Sequence, residues 1–146
     1  MPISQNTSPI YTLPTGPSWG TVTTADNTQD GTSGNTIVCF TAGANGGYLQ
    51  KVICQPISTS GSTATFAAAI RVYLNNGSTP GTAANNVLIR EFSAPALNVN
   101  VASQTGTLAV EIPFNIQIAA AYVIYVGVTS FQTNTAWKVY GVGGSY

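Results

Sequence analysis

Few side chains in this sequence could carry acid–base chemistry. The chain contains no histidine, and its only carboxylate side chains are Asp26, Asp30, Glu91 and Glu111. Because histidine alone has an ordinary pKa near neutral pH, acid–base catalysis would need groups with strongly shifted pKa values. Glu91 and Glu111 could form a glycosidase-like pair, but on a sheet surface we expect each to be paired with an arginine or solvated. The sequence therefore predicts a protein that is not an enzyme.

Candidate metal ligands are equally sparse. The segment ADNTQDG places Asp26, Thr28, Asp30 and Gly31 at the first, third, fifth and sixth positions of a calcium-loop pattern. The twelfth position is Ile37, where such a loop needs a bidentate glutamate. A polar turn is the favoured interpretation, with a weak calcium site as its alternative. Without histidine, zinc and iron sites are not expected, and the sequence predicts no cofactor.

The two cysteines, Cys39 and Cys54, could form one disulfide or none. If the segments on either side of AGANGG pair as a hairpin, Thr41 faces Tyr48 and Cys39 faces Gln50, so the cysteines do not lie opposite each other. We therefore expect two buried free thiols that behave as small hydrophobic side chains.

The composition restricts the kinds of partner. Charged residues make up 5% of the chain, against roughly 25% in an average soluble protein, and the net charge is zero. So little repulsion between copies favours a component of an assembly. The longest apolar run, Ile118 to Val128, is too short for a membrane helix, and no secretory signal is evident. The basic residues are too scattered to bind nucleic acid: Lys51, Arg71, Arg90 and Lys138.

The elements that must position these residues are short β-rich runs separated by turn clusters. In AAIRVYLN, Ala68, Ile70, Val72 and Leu74 alternate with more polar neighbours, as expected for a half-buried strand. About seven or eight such runs predict an all-β antiparallel sandwich over residues 35–146, jelly-roll-like or immunoglobulin-like, with no convincing helix. NTIVCF and YLQKVICQPI are expected to pair as one hairpin, and AYVIYVGVTS and AWKVYGV as another. Pro113 either closes its strand or marks an edge.

Residues 1–34 are rich in Pro, Thr, Ser and Gly and show no strand or helix period. One interpretation is a disordered leader. The other is an extended arm without strand pairing of its own, whose apolar side chains dock on a neighbouring surface. Those side chains are Ile10, Tyr11, Leu13 and Trp19.

Aromatic residues and the chain end are the remaining candidates for contacts. Tyr73 and Tyr125 lie on the strand faces opposite their β-branched neighbours, so both are expected at the surface. Gly143 and Gly144 are expected to break the last strand, after which Tyr146 folds back on the sheet or reaches a neighbouring copy.

The segments IRVYLNNG and VYGVGGSY together resemble small structural proteins of tailed bacteriophages, the β-sandwich decoration (cement) proteins of capsids. The resemblance spans Thr36 to Tyr146 in the order of its elements. It implies a non-enzymatic, commonly trimeric protein that binds the outer capsid lattice and strengthens the shell. The residues that carry it are Arg71, Tyr73 and Asn76 in the strand and turn, and Tyr140, Gly143, Gly144 and Tyr146 at the end.

The sequence thus predicts a virion structural protein on the capsid surface, made in the host cytoplasm, with the major capsid protein and its own copies, as a homotrimer, for partners. One alternative is a receptor- or carbohydrate-binding sandwich of a head or tail fibre, with Trp19, Trp137 and tyrosines stacking on sugar rings. Another is a tail or baseplate subunit. The predicted contacts are Ile10, Tyr11, Leu13, Trp19, Arg71, Tyr73, Asn76, Tyr125, Trp137, Tyr140, Gly143, Gly144 and Tyr146.

Overall fold

The computed structural model describes residues 18–101 and 109–146, apart from the side chain of Ser62. Ile10, Tyr11 and Leu13, predicted as arm contacts, lie outside the described residues. A short 3-10 helix spans Ala83–Asn85. The strands are β1 Trp19–Val22, β2 Ile37–Thr41, β3 Gly47–Ser58, β4 Ser62–Ala64, β5 Ala68–Asn75, β6 Asn86–Ala94, β7 Asn98–Asn100, β8 Val110–Ile118, β9 Val123–Val128 and β10 Thr135–Ser145.

Eight of these strands form two four-stranded antiparallel sheets. Sheet 1 has the order β1-β10-β3-β8 and sheet 2 the order β2-β9-β5-β6, while β4 and β7 form a small separate pair. Along the chain, each of the eight strands is followed by one in the opposite sheet, except that β5 is followed by β6 in the same sheet. This order is that of a jelly roll, in which two Greek keys fold into one sandwich. The predicted antiparallel β-sandwich is confirmed, and the strand order excludes the immunoglobulin alternative.

The core lies between the sheets and follows the period-2 alternation of the strands. Ile70 and Val72 of β5 are fully buried, as are Ile112 of β8, Ile124 of β9 and Trp137 of β10. Burying a large apolar side chain contributes about 1.5–3 kcal/mol, so the alternation fixes which face of each strand turns inward. Cys39 and Cys54 are buried free thiols in this core, as predicted.

Both predicted hairpins are wrong. The glycine-rich loop AGANGG, residues 42–47, contains only an isolated bridge between Gly43 and Gly46, while β2 pairs with β9 and β3 pairs with β10 and β8. The loop instead carries the chain from one sheet to the other. Gly46 has a φ of 99°, and a Cβ there would lie 2.8 Å from the Ile118 carbonyl oxygen. β9 and β10 likewise lie in different sheets, because the loop between them also crosses the sandwich.

The predicted absence of strand pairing in residues 1–34 is wrong at β1. Trp19–Val22 pairs antiparallel with β10, and Val22 is fully buried in the core. Gly20 lies so close to the Ile37 side chain of β2 that a Cβ would overlap it. The run WGTV is therefore a strand because its valine fills the core and its glycine allows the two sheets to approach at this edge.

Gly143 and Gly144 do not break the last strand. β10 continues to Ser145 with a shift of register against β3 between Val142 and Gly143. A Cβ on Gly143 would overlap the Tyr48 carbonyl oxygen, so glycine here permits close backbone contact at the bulge. Pro113 lies inside β8, which is an edge strand, and this confirms the edge interpretation of that proline.

Candidate interaction faces

The outer face of sheet 2 is covered by the chain itself. Residues 23–36, here called the covering segment, run across this face after β1. The Asp26 amide donates a hydrogen bond to the Val128 carbonyl at 2.8 Å. Gly127 lies directly beneath Asp26, where a Cβ would come 2.5 Å from Oδ2 of that carboxylate. Gly31 lies against the ring of Tyr73. The covering segment is thus in contact with the sheet at several points.

Asp26, Tyr73 and Arg71 form the polar centre of this contact. Asp26 is 1% exposed, and the Tyr73 hydroxyl donates to its Oδ2 at 2.6 Å, with the Thr28 carbonyl oxygen at 2.9 Å. Arg71 Nη1 donates to the carbonyls of Asp26 at 3.2 Å and Thr28 at 2.9 Å. Arg71 Nε donates to Glu91 Oε2 at 2.8 Å. The two sheet side chains therefore hold both the carboxylate and the backbone of the covering segment.

The Tyr73 hydroxyl remains protonated in this setting. Burial raises its pKa above the ordinary value of 10.0, and the hydrogen bond to Asp26 and the negative charge of that carboxylate raise it further. A protonated hydroxyl is the donor that a buried carboxylate needs, since an unpaired buried charge is costly. The arrangement is a structural clamp and not a poised acid or base.

The carboxylates considered for catalysis and metal binding all have protein partners. Glu91 is bonded to Arg71, as expected, whereas Glu111 Oε2 accepts from Lys51 Nζ at 2.9 Å and so pairs with a lysine in place of the expected arginine. Asp30 Oδ1 accepts from the backbone N–H of Thr32 and from its hydroxyl. Both hydrogen bonds lower the pKa of Asp30, and the bond from the hydroxyl has the larger effect. Within the described residues, no group of three or more His, Cys, Asp or Glu side chains could hold a metal ion.

The outer face of sheet 1 carries, by contrast, a row of apolar side chains. Trp19 is paired with Tyr140, Tyr140 with Ile53, and Ile53 with Glu111, so one row crosses all four strands. We call Trp19, Tyr140 and Ile53 the apolar row. Trp19 is 70% exposed and Tyr140 is half-buried, whereas Ile53 lies nearly covered between its neighbours.

The charges around the apolar row are already bonded within the chain. Lys51 forms its ion pair with Glu111 on this face. Lys138 Nζ donates to Thr21 Oγ1 at 2.5 Å on the row beside Trp19 and Tyr140. A partner that covered this face would meet an aromatic surface bordered by charges that already have partners. That composition resembles the apolar core and polar rim of a protein interface.

The structure divides the predicted contact residues into two groups. Tyr73 and Trp137 were expected at the surface, and this is wrong: their exposed fractions are 1% and 0%. Gly144 is also buried inside β10. Arg71 is directed into the clamp on the covering segment. Trp19 and Tyr140 do lie together on one face, next to each other across the β1–β10 pair.

The remaining predicted residues lie elsewhere. Tyr125 is half-buried on the outer face of sheet 2. Asn76 is exposed in the β5–β6 loop, where its Oδ1 accepts from the Ser78 amide at 3.1 Å. The Tyr146 amide donates to the Gly46 carbonyl at 3.2 Å, which continues the pairing of β10 with β3 by one residue within the same chain. The Tyr146 hydroxyl is buried and has no hydrogen-bond partner in the described part of the chain.

Sequence reasoning missed Asp26 as an anchor, because a calcium-like pattern and a polar loop both suggest an exposed carboxylate. The available signal was Gly127, a glycine inside a β-branched strand, which often marks close approach of another part of the backbone. No helix in the described residues has the length and apolar character needed to cross a membrane. Comparisons with protein-family models, curated proteins and solved structures give no match to this chain.

Proposed function

We propose that this chain is a non-enzymatic structural protein of a virion, which binds the outer surface of a tailed-phage capsid as a decoration protein and stabilises the shell. The observation that carries the proposal is the exposed aromatic end of the apolar row, on the outer face of sheet 1. Trp19, at 70% exposure, is the most exposed large hydrophobic side chain of the described residues, and it lies on a four-stranded surface beside Tyr140.

Physical chemistry favours this face as the one that meets the shell. Tryptophan and tyrosine dominate the energetics of interfaces because they bury a large area with few rotatable bonds. The nearby charges Lys51 and Glu111 are paired with each other, which reduces the cost of bringing a partner against them. A chain with only 5% charged residues has little long-range repulsion to oppose dense packing on a lattice.

The jelly roll agrees with this proposal without carrying it. Viral capsid proteins and lectins both use the fold, and one fold serves many unrelated functions. The proposal therefore depends on the exposed row and on the low charge of the chain. Its resemblance to capsid decoration proteins, in the strand that contains Arg71 and in the final strand, points to the same class.

The direct test is cosedimentation with capsid shells assembled from the major capsid protein encoded in the same genome. We expect the wild-type chain to sediment with the shells and to raise their melting temperature. Trp19→Ala and Tyr140→Ala should each weaken binding at least about tenfold, the effect of losing an interface hot spot. Phe66→Ala is the control, because Phe66 is 51% exposed but lies outside the apolar row. Equal binding by all three variants would reject sheet 1 as the docking face, and no binding by the wild type would reject the proposal.

A second measurement tests self-association. Light scattering after size-exclusion chromatography should give the mass of three chains of 15.0 kDa if the protein forms a trimer before it meets a shell. A truncation that removes residues 1–17 asks whether the predicted arm takes part. It must end before Ser18, because β1 begins at Trp19 and belongs to sheet 1. A monomer at every concentration would reject a trimer that forms before the protein meets the capsid surface.

A further inference from the structure

We propose that a small pocket on the outer face of sheet 2 binds one neutral sugar ring. The pocket lies between the covering segment and the loop that joins β5 to β6. Its lining comes from Gly31, Thr32, Gly34 and Thr36 on one side, Pro80 and Gly81 on the other, and the half-buried ring of Tyr125 in β9. Its volume is about 100 Å³.

Tyr125 differs from its neighbour Tyr73 in one respect that points to a ligand. The two residues are paired across β5 and β9 on the same outer face. The Tyr73 ring is sealed beneath Gly31 and its hydroxyl is bonded to Asp26. Tyr125 is only half covered, and within residues 18–101 and 109–146 its hydroxyl has no hydrogen-bond partner. One tyrosine therefore serves the fold, and the other is left at the bottom of an opening.

Both walls of the pocket are held in place by buried polar contacts. The covering segment is clamped through Asp26, as described above. The β5–β6 loop is anchored by Asn75, which is fully buried and donates from Nδ2 to Asn86 Oδ1 at 2.7 Å. Asn86 Nδ2 in turn donates to the Pro80 carbonyl at 2.6 Å. A pocket formed before the ligand arrives avoids the entropic cost of ordering loops on binding.

The polar groups of the lining suit a ligand that carries hydroxyl groups. Thr36 has a hydroxyl without a hydrogen-bond partner in the described part of the chain, like that of Tyr125. The Thr32 hydroxyl donates to Asp30 at 2.6 Å, so towards the pocket it offers an acceptor. The lining contains no charged side chain. A few convergent polar groups beside an aromatic ring are typical of a small-molecule site, and uncharged groups favour a neutral ligand.

The size and position of the pocket narrow the ligand further. Pockets for drug-sized molecules measure about 300–1,000 Å³, so a volume of about 100 Å³ accommodates one ring or part of one and no longer oligosaccharide. A Cβ added at Gly34 or at Gly81, two of the lining residues, would meet no other atom within 4 Å. The pocket is on the opposite sheet from the apolar row, so the inference does not rest on the proposed capsid role.

The test is a titration of the ¹⁵N-labelled protein followed by NMR, with the methyl glycosides of glucose, galactose and N-acetylglucosamine as separate probes. We expect at least one of them to shift the amide signals of Gly31, Thr36 and Gly81 with a dissociation constant of about 1 mM or weaker, the range for a single ring. The anionic methyl glucuronide should bind at least about tenfold more weakly than the neutral sugar.

Variants assign the binding to the pocket. Tyr125→Ala should weaken it about tenfold or more, and Thr36→Val and Tyr125→Phe by smaller factors. The last change leaves the fold intact, because the lost hydroxyl has no partner in the described chain, so it remains informative if Tyr125→Ala fails to fold. Tyr140→Phe, on the outer face of sheet 1, is the matched control and should bind like the wild type.

Three results would overturn the inference. The first is that no neutral glycoside shifts the amide signals of the pocket at concentrations well above 10 mM. The second is that the shifts are confined to sheet 1, and the third is that the glucuronide binds as tightly as the neutral sugars. None of these results bears on capsid binding, which is measured separately through Trp19 and Tyr140. If the wild-type chain binds a sugar but does not bind capsid shells, the proposed function alone is rejected.

Discussion

The two outer faces of this sandwich differ in what lies over them. On sheet 2, the covering segment buries Tyr73. Its Asp26 is hydrogen-bonded to Tyr73 and Arg71, and Arg71 is bonded in turn to Glu91. On sheet 1, Trp19 and Tyr140 occupy comparable outward positions, where Trp19 is 70% exposed and Tyr140 is half-buried. Strand alternation places a side chain on a face, but only the path of a distant segment decides whether that face is part of the interior.

This difference indicates a division of work between the faces. The covering segment lets sheet 2 bury aromatic and polar side chains within one chain, and it leaves a small pocket where the cover is incomplete. Under the proposed function, the aromatic side chains Trp19 and Tyr140 of sheet 1 contact another molecule instead. Equivalent substitutions on the two faces should therefore have unequal effects on stability.

The largest expected contrast is between the two tyrosines. Tyr73→Ala should lower the free energy of unfolding by about 3–5 kcal/mol, because it empties a sealed site and leaves Oδ2 of Asp26 without the hydroxyl that donates to it. Tyr140→Ala should cost about 1 kcal/mol or less, since that ring is half exposed. Urea unfolding monitored by fluorescence measures both. Similar losses of unfolding free energy in the two variants would show that the aromatic side chains of the two faces contribute equally to stability.

A smaller contrast is expected within the covering segment. Asp26→Ala removes the buried acceptor of the Tyr73 hydroxyl and should cost about 2–4 kcal/mol. Asp30→Ala is the control four residues away, and its exposed side chain should make little difference to the free energy of unfolding. The same unfolding experiment applies. A small loss for Asp26→Ala would mean that the covering segment contributes little to the stability of sheet 2.

The pH dependence of Tyr73→Phe should be smaller still and have a defined sign. Burial and Asp26 raise the pKa of Tyr73 above 10.0, so the folded protein keeps a proton that the unfolded chain loses near that pH. By linkage, the stability that this hydroxyl contributes is fully present below pH 10 and is lost as the pH rises through the raised pKa.

We therefore expect the difference in unfolding free energy between the wild type and Tyr73→Phe to be constant from about pH 7 to 9 and to shrink above pH 10. The measurement is urea unfolding of both proteins across this range. The two cysteines, whose pKa values are also raised by burial, occur in both proteins, so their contribution cancels. If the difference in unfolding free energy grew with pH, it would contradict the hydrogen bond from a protonated Tyr73 hydroxyl to Asp26.

The smallest effect on stability is expected at Trp19. Trp19→Ala should change the free energy of unfolding by less than about 0.5 kcal/mol, because most of the side chain is in solvent. Gly20→Ala, one residue along, should be clearly destabilising, since its Cβ would overlap Ile37. Thermal unfolding of both variants tests this. A large loss at Trp19 would assign that ring to the fold and weaken the case for docking.

The sequence predicted those features of the fold that depend on local periodicity. Alternation in β5 and β8 identified core-facing residues such as Ile70 and Ile112, and it predicted the all-β sandwich. The pairing of strands was wrong for β2 with β3, because a glycine-rich loop of hairpin length serves equally well to cross between sheets. Nothing local records which sheet the next strand enters.

The candidate faces show the same limit. Trp137 shares the side of β10 that carries Val139, so alternation already indicated a core position that the reading as a surface aromatic overlooked. Tyr73 could not have been placed in this way, since its cover comes from Asp26, 47 positions earlier in a segment without periodicity. Trp19 is exposed, but it belongs to a strand and not to the unpaired arm in which the sequence placed it.

The central place of β10 has a consequence for how the molecule is made. β10 is inserted between β1 and β3, so β1 has no partner in sheet 1 until the last strand has been synthesised. While the chain emerges from the ribosome, β1 and its Trp19 remain unpaired until the strands from β2 to β10 have been translated. Sheet 1 can therefore close only late in synthesis, by contacts between segments far apart in sequence, which fold slowly compared with local ones. The nascent chain thus has an interval in which a chaperone, or the open edge of another copy, could pair with β3 in place of β10.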